Sequence, residues 1–298
     1  MESLAELGLG GDRGGDGGGE RGSDLRSSVS EIVGGWAFWT FDIDDRWIAR
    51  FPRNEAIAAA AERELRLLPA LSRHLSFPVP DPSHVGRRAG WPFFVYSKIR
   101  GRGLTSADGS PSVLDRLGSM LAEMHAFPVA RAAELLEIAR PEQAWRAQYE
   151  ALWPDVEAFA IPAMRPEIAR RVEREFQQFM DGPFNAAVTL VHNDLGLEHL
   201  LVDHGTAEPT GIIDFESAWI GDPAIDFVPL VSAFGAGALE RLLAGRDLGE
   251  GLADRLYFYR WMGSVHAIIY GVTEEIDRER NAGLAELTRR LDRAERSG

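Results

Sequence analysis

Residues 191–226 read VHNDLGLEHLLVDHGTAEPTGIIDFESAWIGDPAID, and two apolar runs here each end on acidic or histidine side chains. The first run, Val188–Val191, delivers His192 and Asp194, with His199 five residues beyond the aspartate. The second, Gly211–Ile213, delivers Asp214, Phe215 and Glu216, then Gly221, Asp222, Pro223 and Asp226. A carboxylate placed just after a buried strand is held rigidly and can still face a ligand. Moving a phosphoryl group needs a carboxylate to orient a hydroxyl nucleophile. It also needs hard oxygen ligands for magnesium, an ion usually shared with the nucleotide phosphates. One segment of this chain carries both kinds of group.

Composition frames the rest. The 298 residues, 45% hydrophobic, suffice for a substantial core in one or two domains. A formal charge of −14 argues against a nucleic-acid partner, which demands basic patches, and is compatible with a cationic small molecule. The chain has no cysteine, which excludes disulfides and thiol catalysis. It shows neither a membrane-length apolar run nor a secretory pattern at its start, so the expected place is the cytoplasm.

Residues 1–26 are glycine-rich and polar, and are expected to form a disordered tail. No Gly-Lys-Ser/Thr follows these glycines and no apolar strand precedes them, so they do not form a phosphate-binding P-loop. Short aromatic and β-branched runs at Ile32–Val33, Phe38–Ile43, Trp47–Phe51 and Phe93–Ile99 predict antiparallel strands. A helix is predicted from Asn54, as N-cap, to about Leu71, with Ile57, Ala61, Leu65 and Leu68 along one face. Residues 101–110 read as a linker. Beyond it the pattern turns helical: from Pro111, over 141–160, over 164–180, and from Leu252 to about Val272. A sheet-bearing part followed by a helical part is a bilobal arrangement, and ligands favour the cleft between such domains.

The series His-x-Asp-x4-His, Asp-Phe-Glu and Gly-Asp-Pro-x-x-Asp resembles the signature of the aminoglycoside phosphotransferase family. The flanking segments WIARFPR (47–53), ERELRLL (62–68), Pro78–Pro80, YSKIRG (96–101) and LAEMHA (121–126) follow that family's order. The resemblance covers roughly Val29 to Gly271. It implies an α+β, bilobal, protein-kinase-like fold, with a small N-terminal antiparallel β-sheet lobe over residues 27–100 and a larger helical lobe over 101–298. The activity implied is transfer of the γ-phosphoryl of ATP or GTP, with Mg2+, to a hydroxyl of an aminoglycoside or similar antibiotic. A kinase of a metabolite such as an amino alcohol or sugar, and a nucleotide-binding pseudoenzyme, are the alternatives.

By that resemblance Asp194 is the general base and Asp214 the magnesium ligand. His199 stands where many members carry Asn; it either ligates the metal or hydrogen-bonds Asp194 or a phosphate. Kinases of this type use a strand lysine paired with a helix glutamate, and the matching position here is Arg50, with Glu64 or alternatively Glu62 as partner. Backbone groups of Ser97 and Ile99 would meet the purine, and Gly34–Trp36 would lie where the family's nucleotide-covering loop is. Tyr257, Trp261, His266, Glu274 and Glu275 are candidates for the acceptor pocket. His192, Asp203, Asp222 and Asp226 are expected to brace loops and turns rather than react.

Overall fold

The computed structural model describes residues 28–33, 37–182 and 186–297, with side chains to residue 291. The 1–26 tail and the Gly34–Trp36 loop lie outside the described residues, apart from the expectations already given. The described residues pack as two compact units: those up to Gly103 with Glu198–Ser217, and those of 104–197 with those from Ala218 onward.

The first unit is built on a five-stranded antiparallel sheet in the order β1-β2-β3-β5-β4: β1 Val29–Ile32, β2 Phe38–Ile43, β3 Trp47–Pro52, β4 Pro82–Arg88 and β5 Trp91–Ser97. Alternation along β3 puts Trp47, Ala49 and Phe51 on one face, with Ile43, Phe41 and Val95. Ile48, Arg50 and Pro52 therefore point to the other. Helix α1 (Glu55–His74) begins as predicted: the Asn54 side chain accepts from the amide of Ile57 at 3.0 Å. Its buried face differs from the predicted one. Ala60, Ala61, Glu64, Leu67, Leu68 and Leu71 are buried, whereas Ile57 and Leu65 are half-exposed. The helix is rolled so that Glu64 points inward, and the reason is an arginine described below. After β6 (Arg102–Gly103), two later strands, β8 (Leu200–Val202) and β9 (Pro209–Ile212), form a hairpin that pairs with β6 through β8. The predicted linker at 101–110 thus holds a strand and a short 3₁₀ turn at Ser106–Asp108.

The second unit is mostly helical. Helices α2 (Pro111–His125), α4 (Pro141–Asp155) and α5 (Pro166–Asp181) each open with proline in the first turn, where its missing N–H is not needed. The helix predicted over 141–160 stops at Asp155 and widens into a π turn over Val156–Ala160. Pro154 accounts for this, since it cannot donate to the i−4 carbonyl. Helix α3 (Val129–Leu136) and helices α6 (Val228–Phe234) and α7 (Leu239–Leu243) are short connectors. A two-stranded ladder joins β7 (Thr189–Val191) to β10 (Trp219–Gly221). Helices α8 (Leu252–Thr273) and α9 (Asp277–Ser297) pack as a hairpin. Close approach is why Gly271 is glycine: a Cβ there would strike the backbone of Arg280. The core holds Trp145, Phe176, Phe258, Trp261 and Leu287. No described helix is long and apolar enough to cross a membrane.

Candidate active site

Two polar constructions, one in each unit, organise the residues singled out by the sequence.

In the first unit the centre is Arg50, only 4% exposed. Its Nη1 donates to Glu64 Oε1 at 2.8 Å, and its Nη2 donates to Glu216 Oε2 at 2.8 Å and to Asp214 Oδ1. The ring of Phe38 lies 3.9 Å from the guanidinium carbon. Glu62, the alternative partner, instead meets Arg87 at the surface. Helical geometry decides between them, because the two glutamates lie about 200° apart around α1. Glu216 was not singled out as a site residue. The signal in the sequence was only its nearness to Asp214, two residues before it. Phe215 is buried, and its amide donates to Glu64 Oε1 at 3.3 Å.

Three carboxylates thus surround one guanidinium. Burial would lower the Arg50 pKa, but the charges of Asp214 and Glu64 outweigh it and hold the pKa raised. Burial pushes Glu64 up to about 7, against the pull of Arg50. It also pushes Glu216 up to about 9, with the Asp214 charge adding to the effect. Three acidic groups are more than one arginine can keep ionised together, so two of them hold their protons to these higher values. Asp214 is its open member, with a side chain 31% exposed and a left-handed backbone (φ 73°). His199 Nε2 lies 3.6 Å from Asp214 Oδ2. Among the described residues no group of three acidic or histidine side chains converges as a metal cage. Magnesium does not require one: it is usually held by one or two carboxylates with phosphates and water. Half-exposed Asp214, with Glu216 beside it, fits that chemistry.

The lone lysine, Lys98, is tied to Asp42 and Asp45 at 2.5 and 2.6 Å, and its amide donates to the Arg46 carbonyl at 2.8 Å. It is therefore no rival to Arg50. Ser97, opposite Trp47 in the β3–β5 register, is exposed, and Ile99 is half-buried.

In the second unit Asp194 sits on an exposed turn, where its carbonyl accepts from the Gly196 amide at 3.0 Å. Buried Asp226 fixes the start of that turn, accepting from the amides of His192 and Asn193, each at 3.0 Å. Asn193 is left-handed (φ 69°), a conformation asparagine tolerates. The Asp226 carboxylate also meets His125 Nε2 at 2.9 Å. Arg246 Nη1 lies 3.3 Å from His125 Nδ1; arginine can only donate, so the imidazole proton sits on Nε2 and points at Asp226. His125 and Arg246 were not among the expected site residues. Asp222 accepts from the Ala224 amide, Arg255 Nε and the Tyr259 hydroxyl at 3.0, 2.7 and 2.8 Å. Asp203, in the first unit, accepts from the amides of Gly205 and Thr206. Both are bracing roles.

The acceptor candidates are scattered along and beyond α8. Trp261 is 1% exposed and packs edge-on to Phe258, so it belongs to the helical core. Tyr257 is half-buried and His266 exposed. Glu274 and Glu275 are exposed where α8 ends. There the amides of Glu275 and Ile276 return to the carbonyls of Val272 and Gly271, with Glu275 left-handed. That pattern is a Schellman cap, which gives these residues a backbone task in turning α8 into α9.

The sequence signature of the phosphotransferase enzyme family matches residues 28–263. The chain belongs to that family. Viomycin phosphotransferase of Streptomyces vinaceus is 27% identical over 281 residues, 88% of this chain and 96% of that one. Among solved structures, the GDP complex of aminoglycoside 2'-phosphotransferase-IIIa aligns with a TM-score of 0.77 at 23% identity, covering 91% of this chain and 95% of that chain. Macrolide 2'-phosphotransferase type I aligns with a TM-score of 0.68 at 25% identity, over 88% and 90%. The phosphotransferase family membership carries the α+β, kinase-like fold with it.

Proposed function

We propose that this phosphotransferase moves the γ-phosphoryl of ATP or GTP to a hydroxyl of a small cationic antibiotic, inactivating it. The observation that carries the reading is the buried Arg50 gathered with Glu64, Asp214 and Glu216. Kinase-type chemistry needs such a fixed cation near the nucleotide phosphates, tied to a helix glutamate. Arginine fills that place with a forked set of donors that can hold carboxylate and phosphate together.

Asp194 orients the acceptor hydroxyl and takes its proton as the oxygen attacks the γ-phosphorus. The bond from that phosphorus to the β,γ-bridging oxygen breaks in line, and the nucleoside diphosphate leaves without a phosphoenzyme. Asp226 and His125 keep the Asp194 turn in position. Asp214, with Glu216 and His199 beside it, would hold Mg2+, which when bound neutralises charge on the transferring group. Backbone groups of Ser97 and Ile99 take the purine edge. The residues of 27–100 serve the nucleotide, and those of 101–298 the chemistry and the acceptor. A nucleoside triphosphate donor puts the reaction in the cytoplasm.

Three relatives support an antibiotic acceptor, since their names specify viomycin, aminoglycoside and macrolide. The formal charge of −14 favours a cationic one. The test is a transfer screen with ATP and GTP in magnesium against viomycin, kanamycin, a macrolide, an amino alcohol and a sugar. A product heavier by one phosphate, absent with Asp194→Ala, is the expected result. Phosphorylation of only the amino alcohol or sugar would overturn the antibiotic reading. Failure to bind either nucleotide would overturn the kinase reading altogether.

A further inference from the structure

The clamp beneath the Asp194 turn does not end at His125. The imidazole meets Asp226 through Nε2 at 2.9 Å, and its other nitrogen, Nδ1, lies 3.3 Å from Arg246 Nη1. The local fold delivers Arg246 to that place. Helix α7 ends at Leu243, and the next two residues, Ala244 (φ 50°) and Gly245 (φ 76°), are left-handed and turn the chain back across the helix end. The Arg246 amide and Nε both donate to the Leu243 carbonyl, at 2.9 and 3.0 Å. Its Nη2 donates to the carbonyls of Leu242 in α7 and Gly118 in α2, each at 3.2 Å. Gly118 lets the two helices come this close, since a Cβ there would lie 2.6 Å from the Leu242 carbonyl oxygen. The Phe227 ring lies 5.3 Å from the guanidinium carbon. The rest of the group thus holds Nη1 in place against the ring of His125.

Carboxylates and carbonyls are the ordinary acceptors of an arginine, and giving one donor to an imidazole nitrogen has a chemical consequence. A guanidinium offers no acceptor, so Nδ1 keeps its lone pair. A second proton on the ring would set a cation against the guanidinium. His125 is thereby held neutral, with its one proton on Nε2 and donated to Asp226 Oδ2. With the proton on Nδ1 instead, the lone pairs of Nε2 and Oδ2 would face each other, and the carboxylate would turn away. Oδ2 is the same oxygen that accepts the His192 amide, at 3.0 Å.

We propose that Arg246 is a positioning residue for the phosphoryl transfer, setting the His125 proton and through it the orientation of Asp226 and the Asp194 turn. The proposal rests on the reading of Asp194 as the group that orients the acceptor hydroxyl. The competing account is that Arg246 only rivets α7 to α2. The two accounts separate, because a rivet acts on stability whatever stands at position 125.

The experiment compares Arg246→Met in two backgrounds of the full chain: with His125, and with His125→Gln, whose side-chain amide can donate to Asp226 and has no tautomer to set. Three quantities are read: the ring-nitrogen resonances of His125, hydrogen exchange of the His192 and Asn193 amides, and kcat and KM of transfer. The unsubstituted protein should show a neutral His125 protonated on Nε2. Arg246→Met should mix the ring's protonation states, speed exchange of both amides about tenfold, and lower kcat about tenfold at unchanged KM. In the His125→Gln background the same substitution should change exchange and kcat by no more than about twofold. Arg246→Lys, which keeps a donor-only cation, should retain the Nε2 proton and most of kcat. Should Arg246→Met fail to fold, Arg246→Gln, which can offer the ring an acceptor as well as a donor, is read in the same way. Equal losses in both backgrounds, or a His125 protonated on Nδ1 in the unsubstituted protein, overturn the proposal. If no acceptor is phosphorylated, the transfer reading fails by itself, and the resonances and amide exchange still decide whether Arg246 holds the turn.

Discussion

The arginine cluster of the first unit and the histidine–aspartate clamp of the second are both buried, and both hold a turn with a left-handed residue, Asp214 in one and Asn193 in the other. They differ in charge and in openness. In the clamp, the Asp226 carboxylate is satisfied by two amides and an imidazole whose proton is fixed by Arg246. In the cluster, three carboxylates share one guanidinium, and one of them remains half-exposed. A satisfied network locks backbone; an open one is suited to a ligand that brings positive charge. On the proposed function, the clamp positions Asp194 and the cluster binds.

Four measurements break or sharpen that contrast. The largest effect is expected at the residue the clamp serves: Asp194→Ala should lower kcat about 10³-fold. Nucleotide titration should give the wild-type Kd, because the cluster is untouched; a matching loss of affinity would merge the two functions.

Arg50→Met comes next. Removing the one cation from two buried carboxylates and half-exposed Asp214 should cost about 3–5 kcal/mol in urea unfolding at neutral pH and weaken nucleotide binding. A near-neutral substitution would mean that the cluster is not the buried, cation-dependent site described. On the clamp side, Asp226→Ala leaves two amides of the Asp194 turn without their acceptor. Unfolding should show a loss of about 2–3 kcal/mol, and kcat should fall with little change in nucleotide Kd.

The smallest effect is in pH dependence. Glu64 and Glu216 have folded pKa values raised to about 7 and about 9, against an ordinary 4.5. The folded chain therefore holds more protons than the unfolded chain between those limits. Their contribution to stability is full below pH 4.5 and is lost as pH rises through 7 and then 9. Melting temperature of the nucleotide-free protein should decline over that window, and Glu216→Gln should flatten the upper part. An unchanged slope in that variant would show that Glu216 is not the strained member of the set.

Much of this was legible in one dimension. The strand ends that present Asp194 and Asp214, the Asn54 cap and the proline-opened helices all rest on residues a few positions apart. Arg50, too, was marked by its strand position. What escaped was long-range or rotational. The Arg50–Glu64 pairing, 14 residues apart, was expected from the resemblance, but the contact of Arg50 with Asp214, 164 residues away, was not. The roll of α1 that buries Glu64 and leaves Leu65 half-exposed follows from that pairing, and apolar periodicity alone put the face elsewhere. Trp261 stood among the candidates for the acceptor pocket because an aromatic residue on a helix carries no mark of which way it points. Packing in the helical unit turned it inward.

The sequence by itself determined the family, the longer helices up to α8 and the two acidic turns, because caps, strand ends and motif spacing are set by neighbours along the chain. Only the tertiary structure decided that Glu216 joins Glu64 and Asp214 on one arginine, and that Asp226 holds the Asp194 turn through the amides of His192 and Asn193. The physical reason is that an ion cluster is defined by distances of about 3 Å between side chains, and the chain path between them does not encode those distances locally.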